Sequence, residues 1–336
     1  MDLFIQNLPK IELHAHLNGS LNTESIKALG LQLYGENTPE FLKLCKKFTD
    51  FSETDLDYCF QKFSFMHELT ATPKGLRLAC EMVIRNFALD NVIYLELRTT
   101  PKANENMSRM EYIDIILKTI EKLKKECNVI VKLLLSIDRS QSIESAEEIA
   151  MLAREFKIDY PDVILGLDFS GNPNKGEFKD FQSILQEAKN SNFKLAVHCA
   201  EIENQQEAQE MLNFCFERCG HGTFLTNEQL QQSLEKNITI ECCLSSNVKC
   251  GTVKSYDDHH FKKIYQNGVR VVLCTDDSGV FDTTLSEEFK LAVKYYQLKR
   301  EDIYKLSSNA VEAAFACQKE KTILKETIDK YFEDNK

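Results

Sequence analysis

Short runs rich in Val, Ile and Leu recur along the chain, separated by longer stretches in which apolar residues return every three or four positions. The runs are IELHAHL (11–17), NVIYLELRTTP (91–101), VIVKLLLSIDR (129–139), DVILGLDFSG (162–171), FKLAVHCAE (193–201), a brief one near CGHGTF (219–224), NITIECCLSSN (237–247) and VRVVLCTDDSG (269–279). Near-continuous apolar runs of this length suit parallel strands covered on both faces. EYIDIILKTIEKLKKE (111–126), SIESAEEIAMLAREFK (142–157), FKDFQSILQEAKN (178–190) and NQQEAQEMLNFCFER (204–218) read as amphipathic helices. Eight strands alternating with helices predict an α/β fold, a (β/α)8 TIM barrel. The sixth strand is the weakest, being short and glycine-bearing. After strand one, a long insertion over about residues 20–85 is expected to be mostly helical. It carries Phe48, Phe51, Tyr58, Phe60, Phe63 and Phe65, which either pack these helices on the barrel or form a lid. The charged end, about 318–336, reads as a solvated helix. Without internal repeats or low-complexity linkers, residues 1–336 read as one domain.

The polar residues with chemical potential fall at the C-terminal ends of these runs. Strand alternation puts His14 and His16 on one face, with Ile11, Leu13, Ala15 and Leu17 on the other. Asn18 follows. Strand two ends with Arg98, Thr99 and Thr100; strand three with Asp138 and Arg139; strand four with Asp168 and Gly171. Strand five ends with His198 and Glu201, strand six with His221, strand seven with Ser245, Ser246 and Asn247, and strand eight with Asp276 and Asp277. Active sites of this barrel form at that end, and random placement would not concentrate them so.

Counting then suggests a metal. His14, His16 and His198 offer imidazoles and Asp276 an oxygen, a set that suits zinc with a position left for a water that can be deprotonated near neutral pH. Glu201, three residues beyond His198, could face the cavity without binding the ion. There it could protonate a ring nitrogen, as replacement of an amine by hydroxyl requires. His221, between Gly220 and Gly222, could orient or deprotonate the water. Asp277 is free to accept a hydrogen bond from substrate. His259 and His260, in YDDHHF, read as a polar loop.

Composition narrows the partners. A net charge of −11 and a pI near 5.3 argue against a nucleic-acid footprint and against an anionic membrane surface. The 12 cysteines include Cys242-Cys243 but no CxxC pair. The N-terminus MDLFIQNLPK has no long apolar stretch and no run approaches transmembrane length, so free thiols in the cytoplasm are expected.

HAHLNGS, the Ser170-Gly171 turn, HCAE, GHG, SSN and TDD, in this order over nearly the whole chain, resemble the adenosine/AMP deaminase family of metal-dependent barrel hydrolases. The resemblance implies one zinc per chain on His14, His16, His198 and Asp276. It makes Glu201 the proton donor and His221 the activator of water, and it puts Gly171, Asp277 and His16 against the purine substrate. One departure is informative. Adenosine deaminases carry an aspartate where this chain has Asn18, and ELRTTPK (96–102) and CLSSNVK (243–249) also differ from their pattern. All three resemble the adenosine deaminase-like subgroup, the N6-methyl-AMP deaminases. That resemblance implies phosphate contacts by Asn18, His67 and the segment Thr99, Thr100, Pro101 and Lys102, with Asp138 as a further substrate contact. Physics agrees, because a carboxylate about 4 Å from a phosphate costs up to ~4 kcal/mol per charge pair at an effective dielectric near ~20. An asparagine amide donates a hydrogen bond instead.

The expectation is therefore a zinc-dependent hydrolase that binds a small purine nucleotide and converts N6-methyl-AMP and water to IMP and methylamine, as a monomer. Three rivals stand behind it: an adenosine deaminase acting on the nucleoside, another metallo-hydrolase on the same barrel, and a non-catalytic nucleotide-binding barrel. The last has no need of Glu201.

Overall fold

The computed structural model describes residues 1–49, 63 and 65–335. Eight parallel strands lie side by side in chain order: β1 (Lys10–His16), β2 (Val92–Thr99), β3 (Ile130–Asp138), β4 (Ile164–Ser170), β5 (Lys194–Cys199), β6 (Arg218–His221), β7 (Thr239–Cys242) and β8 (Val271–Leu273). Beyond β8, a parallel bridge between Ala15 and Asp276 returns the sheet to β1. There Asp276 N donates to His14 O at 2.8 Å and His16 N to Asp276 O at 3.0 Å. The (β/α)8 barrel expected from the apolar pattern is the fold.

Alternation along the strands explains the two sides of the sheet. Leu95, Leu97, Leu133, Leu135, Ile137, Leu167 and Val197 join one apolar cluster with the surrounding helices. The residues between them, Glu96, Arg98, Ser136, Asp168 and His198, are buried on the barrel's inner side. Helices start where side chains satisfy their free N–H groups. Ser108 Oγ accepts from Glu111 N at 3.2 Å while Glu111 Oε2 accepts from Ser108 N at 2.8 Å, opening the helix Arg109–Leu123.

Several details differ from the expectation. The helix expected over 204–218 stops at Phe214, where Cys215 turns the chain with φ of 63°, so β6 begins at Arg218. Ser245, Ser246 and Asn247 lie in a short helix, Leu244–Lys249, rather than at a strand end, because β7 stops at Cys242. The insertion contributes helices Thr23–Tyr34 and Pro39–Thr49 and helical residues 65–69. Pro73–Leu89, by contrast, buries Ala79, Cys80, Val83, Ile84 and Phe87 and serves as the barrel's own helix between β1 and β2. Phe65 is buried and Phe63 half-buried. Phe51, Tyr58 and Phe60, and the side chain of Phe48, lie outside the described residues. The C-terminal helix Gln318–Asp334 is docked rather than fully solvated. Its Leu324 and Ile328 are buried with Ile11, Leu13 and Val272, and Tyr331 Oη donates to Phe4 O at 2.6 Å. No described helix is long and apolar enough to cross a membrane.

Candidate active site at the barrel mouth

The site starts from an irregularity in β1. Its register against β2 shifts between Glu12 and Ala15, a bulge that re-aims the following side chains. Two backbone groups find side-chain partners there: His14 N donates to Glu12 Oε1 at 2.8 Å, and Leu13 O accepts from Arg98 Nη2 at 2.6 Å. The other oxygen of Glu12 accepts from Thr275 N at 3.0 Å and from Thr275 Oγ1 at 2.8 Å. One buried carboxyl group thus ties the segment bearing His14 and His16 to the segment bearing Asp276. Burial pushes Glu12 up to about 7.

Four imidazoles converge above it. The His14 ring centroid lies 4.6 Å from that of His198, 5.1 Å from His221 and 5.2 Å from His16. Asp276 Oδ1 is 3.3 Å from His14 Nε2 and 3.4 Å from His16 Nε2. The donor atoms of His14, His16 and Asp276 lie within 4.8 Å of one another, and so do those of His14, His198 and His221. The four ligands read from the sequence are therefore together, with His221 gathered as closely as they are. Glu241 Oε2 accepts from His14 Nδ1 at 2.7 Å, which orients that ring. His14 Nε2, buried, has no hydrogen-bond partner. Asp276 Oδ2 accepts from Ser246 Oγ at 2.7 Å, leaving Oδ1 toward the rings. Asp276 and His221 both sit in left-handed backbone, with φ of 61° and 64°, the local strain that tertiary contacts sustain at sites.

Electrostatics agree with a cation here. Burial pushes His16 down to about 3 and His221 to about 4, so both rings are neutral and present lone pairs. Burial opposes a charge on His198 too, but Asp168, 3.4 Å away, and Glu201 outweigh it and push that ring up to about 10. Against burial, His14 and its neighbours hold Asp276 well below the carboxylate range. The cluster favours a positive charge at His198, and the converging donors could hold a divalent ion in place of that proton. Burial, with Asp276 beside it, pushes Asp277 well above the carboxylate range.

The cluster floors a cavity of about 570 Å³. Glu201 lines it, turned back by Ala200 at φ of 54°. Its Oε1 is 3.3 Å from His198 Nδ1 and its Oε2 3.8 Å from His221 Nε2. Burial would raise its pKa, but His221 and His198 lower it on balance, so Glu201 is a carboxylate ready to take a proton. Asn18, His67, Thr99, Thr100 and Lys102 line the cavity as well. Lys102 Nζ is 2.7 Å from His67 Nδ1, and Asn18 Nδ2 is 3.4 Å from the same atom. Burial, then Lys102, pushes His67 down to about 4. Thr99 Oγ1 shares a 2.8 Å hydrogen bond with Tyr112 Oη.

Pro101 is buried and stands apart from the lining. Asp138 lines the cavity, but its Oδ1 accepts from Ser140 N at 2.9 Å and Ser140 Oγ at 2.6 Å, so it also holds its own turn. Gly171, at φ of 103°, must lack a side chain: a Cβ would come within 2.1 Å of Asp138 Oδ1.

Sequence reasoning missed the supporting residues. Glu12 and Glu241 had no assigned part, and Arg98, Asp168 and Ser246 were placed at strand ends without one. The available signal was a charged residue at an alternating position inside an apolar run. His259 and His260, read as a polar loop, are packed behind the mouth, with His259 only 2% exposed. All seven histidines of the chain gather at this end of the barrel.

Comparison with known proteins accords with this geometry. The Adenosine deaminase family model matches residues 9–331. An adenosine deaminase-like protein of Drosophila melanogaster is 51% identical over 332 residues, covering 98% of both chains. Human N6-methyl-AMP deaminase is 39% identical, covering 93% of this chain and 90% of its own. A solved structure of Arabidopsis ADAL complexed with IMP superposes with a TM-score of 0.88 at 36% identity, covering 98% of each chain. Relatives along the full length, on the same barrel, join the imidazole–carboxylate cluster to one chemistry: this chain belongs to the adenosine deaminase family and is a hydrolytic deaminase acting on a purine C–N bond.

Proposed function

We propose that the chain is a zinc-dependent deaminase of N6-substituted purine nucleoside monophosphates, converting N6-methyl-AMP and water to IMP and methylamine. The observation that carries the nucleotide reading is the far end of the cavity, where Asn18, Lys102 and neutral His67 cluster and no carboxylate replaces Asn18. An amide, an ammonium and an imidazole can all donate to a phosphate. The names of the relatives point the same way.

His14, His16, His198 and Asp276 would hold the zinc ion. A zinc ion held there would supply Lewis-acid activation of a water near neutral pH. His221 orients the attacking water against C6. Glu201 takes a proton from the water and delivers it to N1, which makes C6 electrophilic. The water oxygen bonds to C6, the C6–N6 bond breaks, and methylamine leaves with the water's second proton. Asp277 hydrogen-bonds the purine, and Gly171 lets the backbone approach it. Asn18, Thr99, Thr100, Lys102 and His67 take the phosphate.

A panel of AMP, N6-methyl-AMP and their nucleosides, followed by ultraviolet absorbance, tests the reading. N6-methyl-AMP should give the highest kcat/KM; higher efficiency with adenosine would overturn the nucleotide assignment. Elemental analysis should show about one zinc per chain, and His14→Ala should lose most of it. Full metal retention in both His14→Ala and His198→Ala would reject the ligand set.

A further inference from the structure

Two histidines outside the cluster stand directly behind its wall. The rings of His259 and His260 stack, with centroids 4.1 Å apart and planes at 21°. Their backbone partners settle where the protons lie. An amide N–H only donates, so His259 Nδ1, 3.0 Å from Phe261 N, is an acceptor, and the ring's proton sits on Nε2. That Nε2–H donates to Asn247 Oδ1 at 3.1 Å. A carbonyl only accepts, so His260 Nε2, 2.9 Å from His221 O, carries a proton and donates it.

Each ring therefore grips a different part of the mouth. Asn247 lines the cavity, and with its oxygen taken by His259 its Nδ2 faces Thr252 Oγ1 at 3.2 Å and Thr223 Oγ1 at 3.4 Å. His221 holds φ of 64°, a conformation that persists only where surroundings over-determine it. His260 grips its carbonyl from behind, and Gly222 N, the next amide, donates to Cys199 O at 3.1 Å. Among the described residues, neither His259 nor His260 belongs to a group close enough to hold a metal ion.

We propose that His259 and His260 are a pair of positioning residues, His260 aiming the ring of His221 through its carbonyl and His259 aiming the amide of Asn247 on the cavity wall. The kinetic part rests on the deaminase reading of His221. A misplacement of about 1 Å in a reacting group costs up to ~10²-fold in rate, so loss of the His260 donor acts on the chemical step. Loss of the His259 donor acts on the wall and so on substrate fit.

The test uses full-length, metal-loaded protein with N6-methyl-AMP and three variants of the pair. His260→Phe keeps the stacking and loses the donor; it should lower kcat by about 10- to 100-fold with KM within about threefold of the parent. His260→Gln restores an N–H donor and should recover most of that loss. His259→Phe should raise KM more than it lowers kcat. Metal content should match the parent in all three. Hydrogen exchange gives a readout independent of turnover: peptides over residues 219–225 should exchange faster in His260→Phe and near the parent rate in His260→Gln. Parent-like exchange in His260→Phe, or a His260→Gln variant as impaired as His260→Phe, would overturn the positioning role. If the parent turns over none of the purine substrates, the deaminase reading fails, while the exchange comparison still decides whether His260 holds His221.

Discussion

The barrel contains two buried polar layers, one above the other, and they solve opposite problems. In the lower layer, Arg98 Nη1 donates to Asp168 Oδ1 at 2.8 Å and Arg98 Nη2 lies 3.1 Å from Glu241 Oε2. Arg218 Nη2 meets Glu96 Oε2 at 2.5 Å, and Arg218 Nε meets Glu241 Oε1 at 2.6 Å. Neutral donors complete it: Tyr94 Oη and Phe315 N reach Glu96 Oε1 at 2.8 and 2.6 Å. In the upper layer, neutral His16 and His221 stand with Asp276 Oδ1 around His14, while His198 leans on Asp168 and Glu201. A buried layer whose charged groups are each paired with one another is scaffold, whereas one whose lone pairs converge calls for a cation. Glu241 belongs to both. It takes two guanidiniums from below and the Nδ1–H of His14 from above, so the scaffold sets the angle of a ligand ring.

If this division is right, substitutions in the two layers should fail in different ways. The largest effect is expected at the mouth. Glu201→Gln should lose about 10²- to 10⁴-fold in kcat while keeping metal and stability; a variant turning over at the parent rate would move the proton donor elsewhere. Next, Arg218→Met leaves Glu96 and Glu241 buried without their shared cation. Urea unfolding should show a loss of about 3–5 kcal/mol, and an unchanged midpoint would mean the lower layer is not the scaffold it resembles.

Third, Asn18→Asp puts a carboxylate at the proposed phosphate end of the cavity. The expected loss is about 2–4 kcal/mol in transition-state binding for N6-methyl-AMP, or roughly 30- to 1,000-fold in kcat/KM, with little change for N6-methyladenosine. An unchanged nucleotide-to-nucleoside ratio would detach Asn18 from the 5′ end.

The smallest effect is a slope. Glu288, behind the mouth wall, accepts from Ser245 N at 3.2 Å and Thr283 Oγ1 at 2.7 Å. Among the described residues it pairs with no guanidinium, unlike Glu241, and burial pushes it up to about 7. An acid whose folded pKa is raised holds more protons in the folded state, so stability falls as pH rises from about 4.5 to about 7. Denaturation at about pH 5 and about pH 8 should show this decline in the parent and a flatter profile in Glu288→Gln. Equal slopes would exclude Glu288 as its source.

Much of this was legible in residue order. Alternation in IELHAHL put His14 and His16 opposite Ala15 and Leu17, but the bulge between Glu12 and Ala15 breaks the period, so Ile11 and Leu13 pack in a separate cluster with Tyr94. The helix over 178–190 was visible from its period alone. Where local signals misled, a backbone reversal intervened. Cys215 ends a helix that the apolar pattern would continue to 218, and the chain after Cys242 coils into a helix although CCLSS suits a strand. The proposed phosphate end was legible in Asn18 and in the departures ELRTTPK and CLSSNVK. The placement of His67 beside Lys102 depends on the helical residues 65–69 at the mouth.

By itself, the sequence determined the strand–helix alternation, the burial of one side of each strand and the chemical types waiting at the strand ends, because periods of two and 3.6 residues are local properties of the chain. The tertiary structure alone decided who partners whom. His14 and Glu241 are 227 residues apart, Arg98 and Glu241 143, and Glu12 and Thr275 263. A glutamate inside an apolar run has the same local pattern whether it faces water or a guanidinium. Only closure of β8 onto β1 through Ala15 and Asp276 brings those groups within hydrogen-bond reach, and in that low dielectric each must find its partner or shift its pKa.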